Sequence, residues 1–343
     1  MVNCIIVIYL PDNSPESERK KFLLSLDAQV TRAKLQAFTQ GTNRNRVTQI
    51  RAFVLFCFHA NLHVCPVSPQ TLCRYIVFLS RSMRSYQSIK NYVDGVRFYQ
   101  VSHGIDFDLW DHPEVKIVLR ATRKHLGDNP RRKLPITPDI LRKVFSCLKQ
   151  DSIIHVVLWA SFLVAFYGFL RKANVVPPSG TEFDLKKHLS RGSFVFQEGR
   201  ILLSIQHTKT IQFQQRKIVI PLLEIPGSVL CPVRAITLMF EKVPAPADAP
   251  AFVIPYQGGF LSLTHSSYVQ YLKHFLALLG LDASQYSGHS FRRCGCTFAA
   301  KNGVSAHLLK IHGDWSSDAY ERYMDLSQEA RLDVMKVMSS ALT

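Results

Sequence analysis

The stretch Gly288-His289-Ser290-Phe291-Arg292, taken with Gly313-Asp314-Trp315-Ser316-Ser317-Asp318-Ala319-Tyr320-Glu321-Arg322-Tyr323 further on, decides how this chain is read. His289 and Arg292 are three residues apart, a spacing that on a helix puts both side chains on one face. A second arginine lies far upstream, in Phe166-Tyr167-Gly168-Phe169-Leu170-Arg171, directly after a long apolar run. Guanidinium groups are planar, permanently charged and bidentate, which suits them to phosphoryl oxygens. An imidazole can hydrogen-bond a phosphate or move a proton. A phenol ionises near pH 10, and surrounding cations ease that ionisation, so Tyr323 is a candidate nucleophile. Together these groups suit phosphoryl transfer in which fixed charges stabilise the transition state.

Working outward, the length of 343 residues exceeds most single domains, so two are expected. A hydrophobic content of 47% supports real cores and argues against a disordered chain. The net charge of +17 points to an acidic polymer as partner, with nucleic acid first. Cys4, Cys57, Cys65, Cys73, Cys147, Cys231, Cys294 and Cys296 form no CxxC pair and sit among apolar residues, as reduced, buried thiols do. Cys57, His59, His63 and Cys65 cluster, but their spacing matches no common zinc pattern, and packing is the expected role. The run from Ile153 to Leu170 is long enough to span a bilayer. It carries His155, Ser161 and Gly168 and has no companion span, so a helix buried on all sides is expected and no membrane.

Residues 1–15 read as an N-terminal extension without signal-peptide features. Residues 16–126 read as an all-helical domain. Phe22, Leu23, Leu26, Val30 and Ala33 recur at helical spacing, Ser68-Pro69 and Pro113 open helices, and Gly104 closes one. Its cations include Arg44 and Arg46, candidates for a nucleic-acid backbone. Residues 127–136 hold glycine, two prolines and Arg131-Arg132-Lys133, a basic linker expected to lie along that backbone. Residues 137–326 form a second domain. Thr137-Pro138-Asp139 caps its first helix, and strands at Ile201–Ile205 and Lys217–Leu222 flank a hairpin with Lys209 near its tip. Residues 327–343 read as an amphipathic helix through Ala330, Val334, Val337, Met338 and Leu342. The expected fold class is mainly α with a small antiparallel β-sheet.

The second domain resembles the catalytic domain of tyrosine recombinases, the phage-integrase-like family. It is most similar to those of eukaryotic mobile elements of the DIRS, Ngaro and Crypton kinds. Phe169-Leu170-Arg171, Thr208-Lys209-Thr210, His289-Ser290-Phe291-Arg292 and Gly313 through Tyr323 carry the resemblance, in the family's order. It implies that the helical first domain is a core-binding domain and that both domains clamp double-stranded DNA. It further implies that Arg171 and Arg292 hold the phosphoryl oxygens, with His289 beside them. Lys209 would protonate the departing 5′ oxygen, with Lys217 and Arg216 as competitors. Tyr323, ten residues after Gly313, would attack, with Tyr320 as rival. Arg293 is expected on the DNA backbone. The chain departs from the pattern at Asp314, where many relatives carry histidine. Trp315 is therefore expected to donate its indole N–H, with Asp314 turned away.

The resemblance also implies a reaction through a 3′-phosphotyrosyl bond without metal, ATP or other cofactor. It implies a dimer on one site, a tetramer in synapsis, a C-terminal helix docked on a neighbouring protomer or in cis, and residence in the nucleus. The alternatives are DNA relaxation of the type IB topoisomerase kind and a domesticated DNA-binding protein without catalysis.

Overall fold

The computed structural model describes residues 16–127, 133–208, 217–323, 335–336 and 338–340. The chain divides into two compact units, Met1–Arg131 and Arg132–Thr343. The division falls inside the basic segment 127–136, of which residues 128–132, and so Arg131 and Arg132, lie outside the described residues, as does the extension 1–15.

The first unit contains α1 (Glu16–Gln36), α2 (Gln40–His59), α3 (Pro69–Ser82), α4 (Tyr86–Ser102) and α5 (Pro113–Leu126). Each boundary has a local cause. Thr39 accepts from the Thr42 N–H at the head of α2, and Ser68 accepts from the Thr71 N–H with Pro69 in the first turn of α3. α2 packs on α4 and α3 on α5, around Phe53, Cys57, Leu72, Tyr75, Ile76, Ile89, Val93, Val96 and Val115. Cys57 is part of that core. On α1 the outcome differs from the pattern. Phe22, Leu23, Leu26 and Val30, spaced like a core face, all remain exposed. Periodicity sets the helix, whereas burial needs a partner surface, and the other four helices use theirs on one another.

The second unit begins with α6 (Pro138–Ser146), capped by the Thr137 hydroxyl. α7 (Ile153–Tyr167) is buried continuously from Val156 to Phe166 and packs on α9 (Pro232–Lys242) and α11 (His289–Lys301). That explains its apolarity all round. Among the described residues, no helix is long and apolar enough to cross a membrane. α7 ends at Tyr167, three residues before the expected Leu170. Gly168 closes it, and Phe169 takes a left-handed φ of 47°, which turns the chain out of the helix. Arg171 therefore does not extend α7 but stands at the N-cap of the short α8 (Lys172–Val175).

An antiparallel sheet of β1 (Phe194–Gln197), β2 (Arg200–Ile205) and β3 (Ile218–Leu223) follows, with Leu203 opposite Phe194 on one side and Ile220 on the other. The two strands expected from sequence are β2 and β3. β1 and a separate hairpin, β4 (Val253–Tyr256) with β5 (Gly259–Ser262), were not anticipated, because four residues are too few to show a period. α10 (His265–Leu278), α11, α12 (Ala306–His312) and a 3₁₀ turn over Asp318–Tyr323 complete the unit. The chain is thus mainly helical with small antiparallel sheets. Most of the expected C-terminal helix lies outside the described residues. Residues 335–336 and 338–340 are helical, with Met335 and Met338 exposed.

Candidate active site

Arg292 is the hub of the second unit's polar architecture. It sits on α11 with its side chain only 2% exposed. Nη1 donates to the Phe169 carbonyl, Nη2 donates to the Gly313 carbonyl at 2.7 Å, and the guanidinium lies over the Trp315 ring at 3.9 Å from its centroid. One cation therefore joins the turn before Arg171 to the turn after α12. Hydrogen bonds from a charged donor contribute about 1.5–3 kcal/mol each, so the arrangement is held firmly.

Two glycines make the approach possible. A Cβ on Gly295 would run into the Phe166 carbonyl oxygen and the Phe169 ring, so α11 can touch the end of α7 only because that side chain is missing. A Cβ on Gly313 would run into the Trp315 ring, which folds back over that backbone. His312 adds a further tie, its Nε2 donating to the Tyr167 carbonyl at 2.8 Å while its ring meets Phe169 edge-on.

The base of the β2–β3 hairpin is held from two sides. Asn174 accepts from the Arg171 N–H at 3.3 Å and donates from Nδ2 to the His207 carbonyl at 3.2 Å. Thr208 is buried, and its hydroxyl donates to the Asp314 carboxylate, which is buried as well. The result is a closed circuit. It runs from the Arg171 turn through Asn174 to His207 and Thr208, on to Asp314 and Gly313, through Arg292 to Phe169, and back along the chain.

Arg171 is half-buried and Arg292 buried, whereas His289, in the first turn of the same helix as Arg292, is exposed. Trp315 and Tyr320 are buried together with Phe169, Cys296 and Leu309. Tyr320 packs on the Trp315 ring with centroids 6.1 Å apart. Tyr323 closes the 3₁₀ turn, and its side chain lies outside the described residues, as do Lys209 and the rival Arg216. The other rival, Lys217, is exposed just before β3. Burial pushes the Cys296 thiol up to about 11 despite the opposing pull of Arg292, and pushes Cys294 up to about 12. Burial also holds His207 below the ordinary histidine range, with Lys187 adding to the effect.

The candidates for backbone contact fare differently. Lys133 is exposed but donates to the Ser284 carbonyl at 2.6 Å, and Arg293 donates to the Lys133 carbonyl at 2.7 Å. These two cations fasten the end of the basic segment to its own unit. Arg44 is exposed on α2. Arg46 lies between the Phe38 and Phe98 rings, 3.5 and 3.8 Å from their centroids, and burial lowers its pKa. Asn174 escaped the sequence analysis, and Thr208 entered it only as the neighbour of Lys209 in the hairpin motif. Their signal was proximity to Arg171 and Lys209, which acquires meaning only once strand pairing brings those segments together.

No protein-family model matches the chain. It is 22% identical over 259 residues to the integrase/recombinase XerD homolog of Selenomonas ruminantium, covering 73% of this chain and 71% of that protein. The Tn1549 transposon integrase in complex with circular intermediate DNA superposes with a TM-score of 0.58 at 15% identity, over 89% of this chain and 98% of that one. A lambda integrase dimer bound to a COC′ core site superposes at 0.57 and 15%, over 88% and 95%. XerH site-specific recombinase bound to its difH substrate, after cleavage, gives 0.53 and 11%, over 80% and 70%.

The chain has the fold of the tyrosine recombinases and integrases. Its circuit joins residues from four segments that carry the resemblance, through Phe169, Thr208, Arg292 and Gly313–Asp314. The departure at Asp314 also acquires a structural account. The carboxylate is turned into the fold toward Thr208, and the Trp315 ring covers Arg292.

Proposed function

We propose that this chain is a site-specific DNA recombinase that cuts and rejoins duplex DNA through a 3′-phosphotyrosyl intermediate. The observation that carries the reading is the hydrogen-bonded circuit through Arg292, which ties the Arg171 turn, the hairpin base and the Gly313–Trp315 turn together. In the proposed reaction the Tyr323 phenol oxygen bonds to the scissile phosphorus and the bond to the 5′ oxygen breaks. The phenol proton leaves to His289 or to water, and Lys209 gives a proton to the departing oxygen. One ester replaces another, so the step stores the bond for rejoining and needs no nucleotide hydrolysis. Arg171, half-buried at the N-cap of α8, takes phosphoryl oxygens, and Arg292 adds positive charge from beneath, which also eases ionisation of the phenol.

The proposal extends to a mobile-element role of the DIRS, Ngaro and Crypton kind, to a dimer on each site that pairs into a tetramer, and to action in the nucleus. The likeness to a transposon integrase supports a mobile-element role, and the DIRS, Ngaro and Crypton kind rests on the sequence motifs.

The test is covalent trapping on a nicked duplex that loses a short strand on cleavage, built from a sequence the protein selects from a random pool. Wild type and Tyr320→Phe are expected to form adducts and Tyr323→Phe none, since Tyr320 is a packing ring whose loss of a hydroxyl leaves its contact with Trp315 in place. Adducts from Tyr323→Phe but not from Tyr320→Phe would transfer the nucleophile to Tyr320. Exchange between two marked duplexes, as against relaxation of one supercoiled plasmid, separates recombination from topoisomerase activity. Binding without any adduct identifies a non-catalytic protein.

A further inference from the structure

We infer that Asp314 is a positioning residue that holds the base of the lysine hairpin by accepting a hydrogen bond from the Thr208 hydroxyl, and so supports the general acid proposed for Lys209. The inference rests on the proposed role of Lys209 as general acid. It concerns a residue which the family pattern fills differently and which, by charge, is unfit to face a phosphate.

Three observations point to it. First, Asp314 and Thr208 are both buried, at 5% and 4% exposure, and joined side chain to side chain. A buried carboxylate is costly unless it accepts hydrogen bonds, so the contact constrains both partners. Second, the backbone is shaped to deliver the carboxylate. Asp314 has a left-handed φ of 52°, a conformation that aspartate tolerates better than most residues, and Gly313 before it lies under the Trp315 ring. Its own N–H bonds to the Ile311 carbonyl at 3.1 Å, and the Trp315 N–H to the Lys310 carbonyl at 3.1 Å, so the turn is rigid where the carboxylate emerges. Third, the contact spans 106 residues of sequence and lands on the residue immediately before Lys209. The same turn is the one Arg292 grips through the Gly313 carbonyl. Asp314 thereby transmits the position of the arginine hub to the hairpin, with Asn174 as the second tie at His207. A general acid on a hairpin gains from a firmly held hairpin base, and Thr208, buried and tied to Asp314, supplies one such anchor.

The chemistry of the leaving group separates this role from a merely structural one. In the natural reaction the 5′ oxygen leaves as an alcohol only if it receives a proton. If sulfur replaces that bridging oxygen, the leaving thiolate has a conjugate acid of pKa about 8 to 9, as for a cysteine thiol, and departs without one. A defect confined to the general acid therefore disappears on the sulfur-linked duplex.

The experiment compares single-turnover adduct formation on the oxygen-linked and sulfur-linked nicked duplexes for Asp314→Ala, Asp314→Asn, Thr208→Val and Thr208→Ser. Asp314→Ala and Thr208→Val are expected to lose about tenfold or more on oxygen, within the range general acids contribute, and to come within about threefold of wild type on sulfur. Asp314→Asn and Thr208→Ser, which keep an acceptor and a hydroxyl, are expected to retain most of the oxygen-linked rate. Equal losses on both duplexes, or no loss on either, would overturn the inference. Lys209→Ala recovering on sulfur, while Asp314→Ala does not, would uphold the general acid and refute the positioning. Amide exchange of a peptide spanning residues 201–220 in the full-length protein, without DNA, gives a readout that does not depend on catalysis. Asp314→Ala should speed exchange there by about tenfold or more and Asp314→Asn should not. Unchanged exchange would remove the tether even if wild type cleaves neither duplex, an outcome that would separately defeat the proposed function.

Discussion

Replacing Gly295 by alanine puts the geometry of the arginine hub under direct test. By helix propensity alone the change should help, since glycine inside a helix costs about 1 kcal/mol relative to alanine. The structure predicts the opposite. The new methyl would meet the Phe166 carbonyl oxygen and the Phe169 ring, and one of these obstacles is backbone at the end of the buried helix α7. Overpacking of this kind costs about 1–3 kcal/mol, and with the propensity gain of about 1 kcal/mol subtracted the net loss reaches about 2 kcal/mol when the backbone obstacle cannot yield. For a unit of this size a loss of about 2 kcal/mol is a fall in Tm of about 4 to 8 °C. The effect on chemistry should be larger than the effect on stability. Gly295 lies three residues after Arg292 on α11, so the helix can escape the clash only by moving Arg292 away from the Arg171 turn. A displacement near 1 Å lowers a positioned reaction by about a hundredfold. Differential scanning fluorimetry and single-turnover adduct trapping read the two effects. Gly41→Ala in α2, where an added Cβ meets nothing within 4 Å, is the control and should not lower Tm. If Gly295→Ala melts at or above wild type and cleaves at an undiminished rate, the close contact between α11 and the Phe166–Phe169 turn is wrong.

Two neighbouring arginines should separate cleanly. Arg46→Ala removes a guanidinium held between two phenyl rings and should cost about 1–2 kcal/mol in a thermal melt, with little change in the salt dependence of DNA binding. Arg44→Ala should leave the melt unchanged and reduce the slope of log K against log salt by about 0.9, the share of one phosphate contact. Stability should also show a plateau in pH. Burial lowers the pKa of His155, His188, His207 and His265, so the folded chain binds fewer protons than the unfolded chain below about pH 6.5, and stability falls as pH drops through that region. On the alkaline side burial raises Cys294 from 9 to about 12, Cys296 from 9 to about 11 and Tyr167 from 10 to about 12. The folded chain then keeps protons that the unfolded chain loses, and stability declines as pH rises from about 9 toward 12. Tm measured from pH 5 to 11 at constant ionic strength checks both edges, and a Tm still rising above pH 9 would contradict the thiol and phenol burial.

Much of the architecture was legible in the chain because its signals are local. Pro69, Pro113, Pro138 and Pro232 follow capping or extended residues and mark helix starts wherever they occur. The unbroken apolarity of α7 announced a helix with no solvent face, though not its end, since Gly168 and the left-handed Phe169 stop it before Leu170. Short strands stayed hidden, and α1 displayed an apolar spacing without a partner to bury it.

By itself, the order of residues determined where the proline-capped helices start, the basic character, and which arginines, histidine and tyrosines belong to the motifs, because charge, capping and spacing are properties of neighbours along the chain. Only the tertiary structure decided that Arg46, Arg293 and Lys133 hold protein groups, that Arg292 is buried beneath Trp315, and that Asp314 grips Thr208 across 106 residues. Those outcomes depend on which surfaces meet and which polar groups lose water together, and a buried charge takes whatever partner the fold brings within reach.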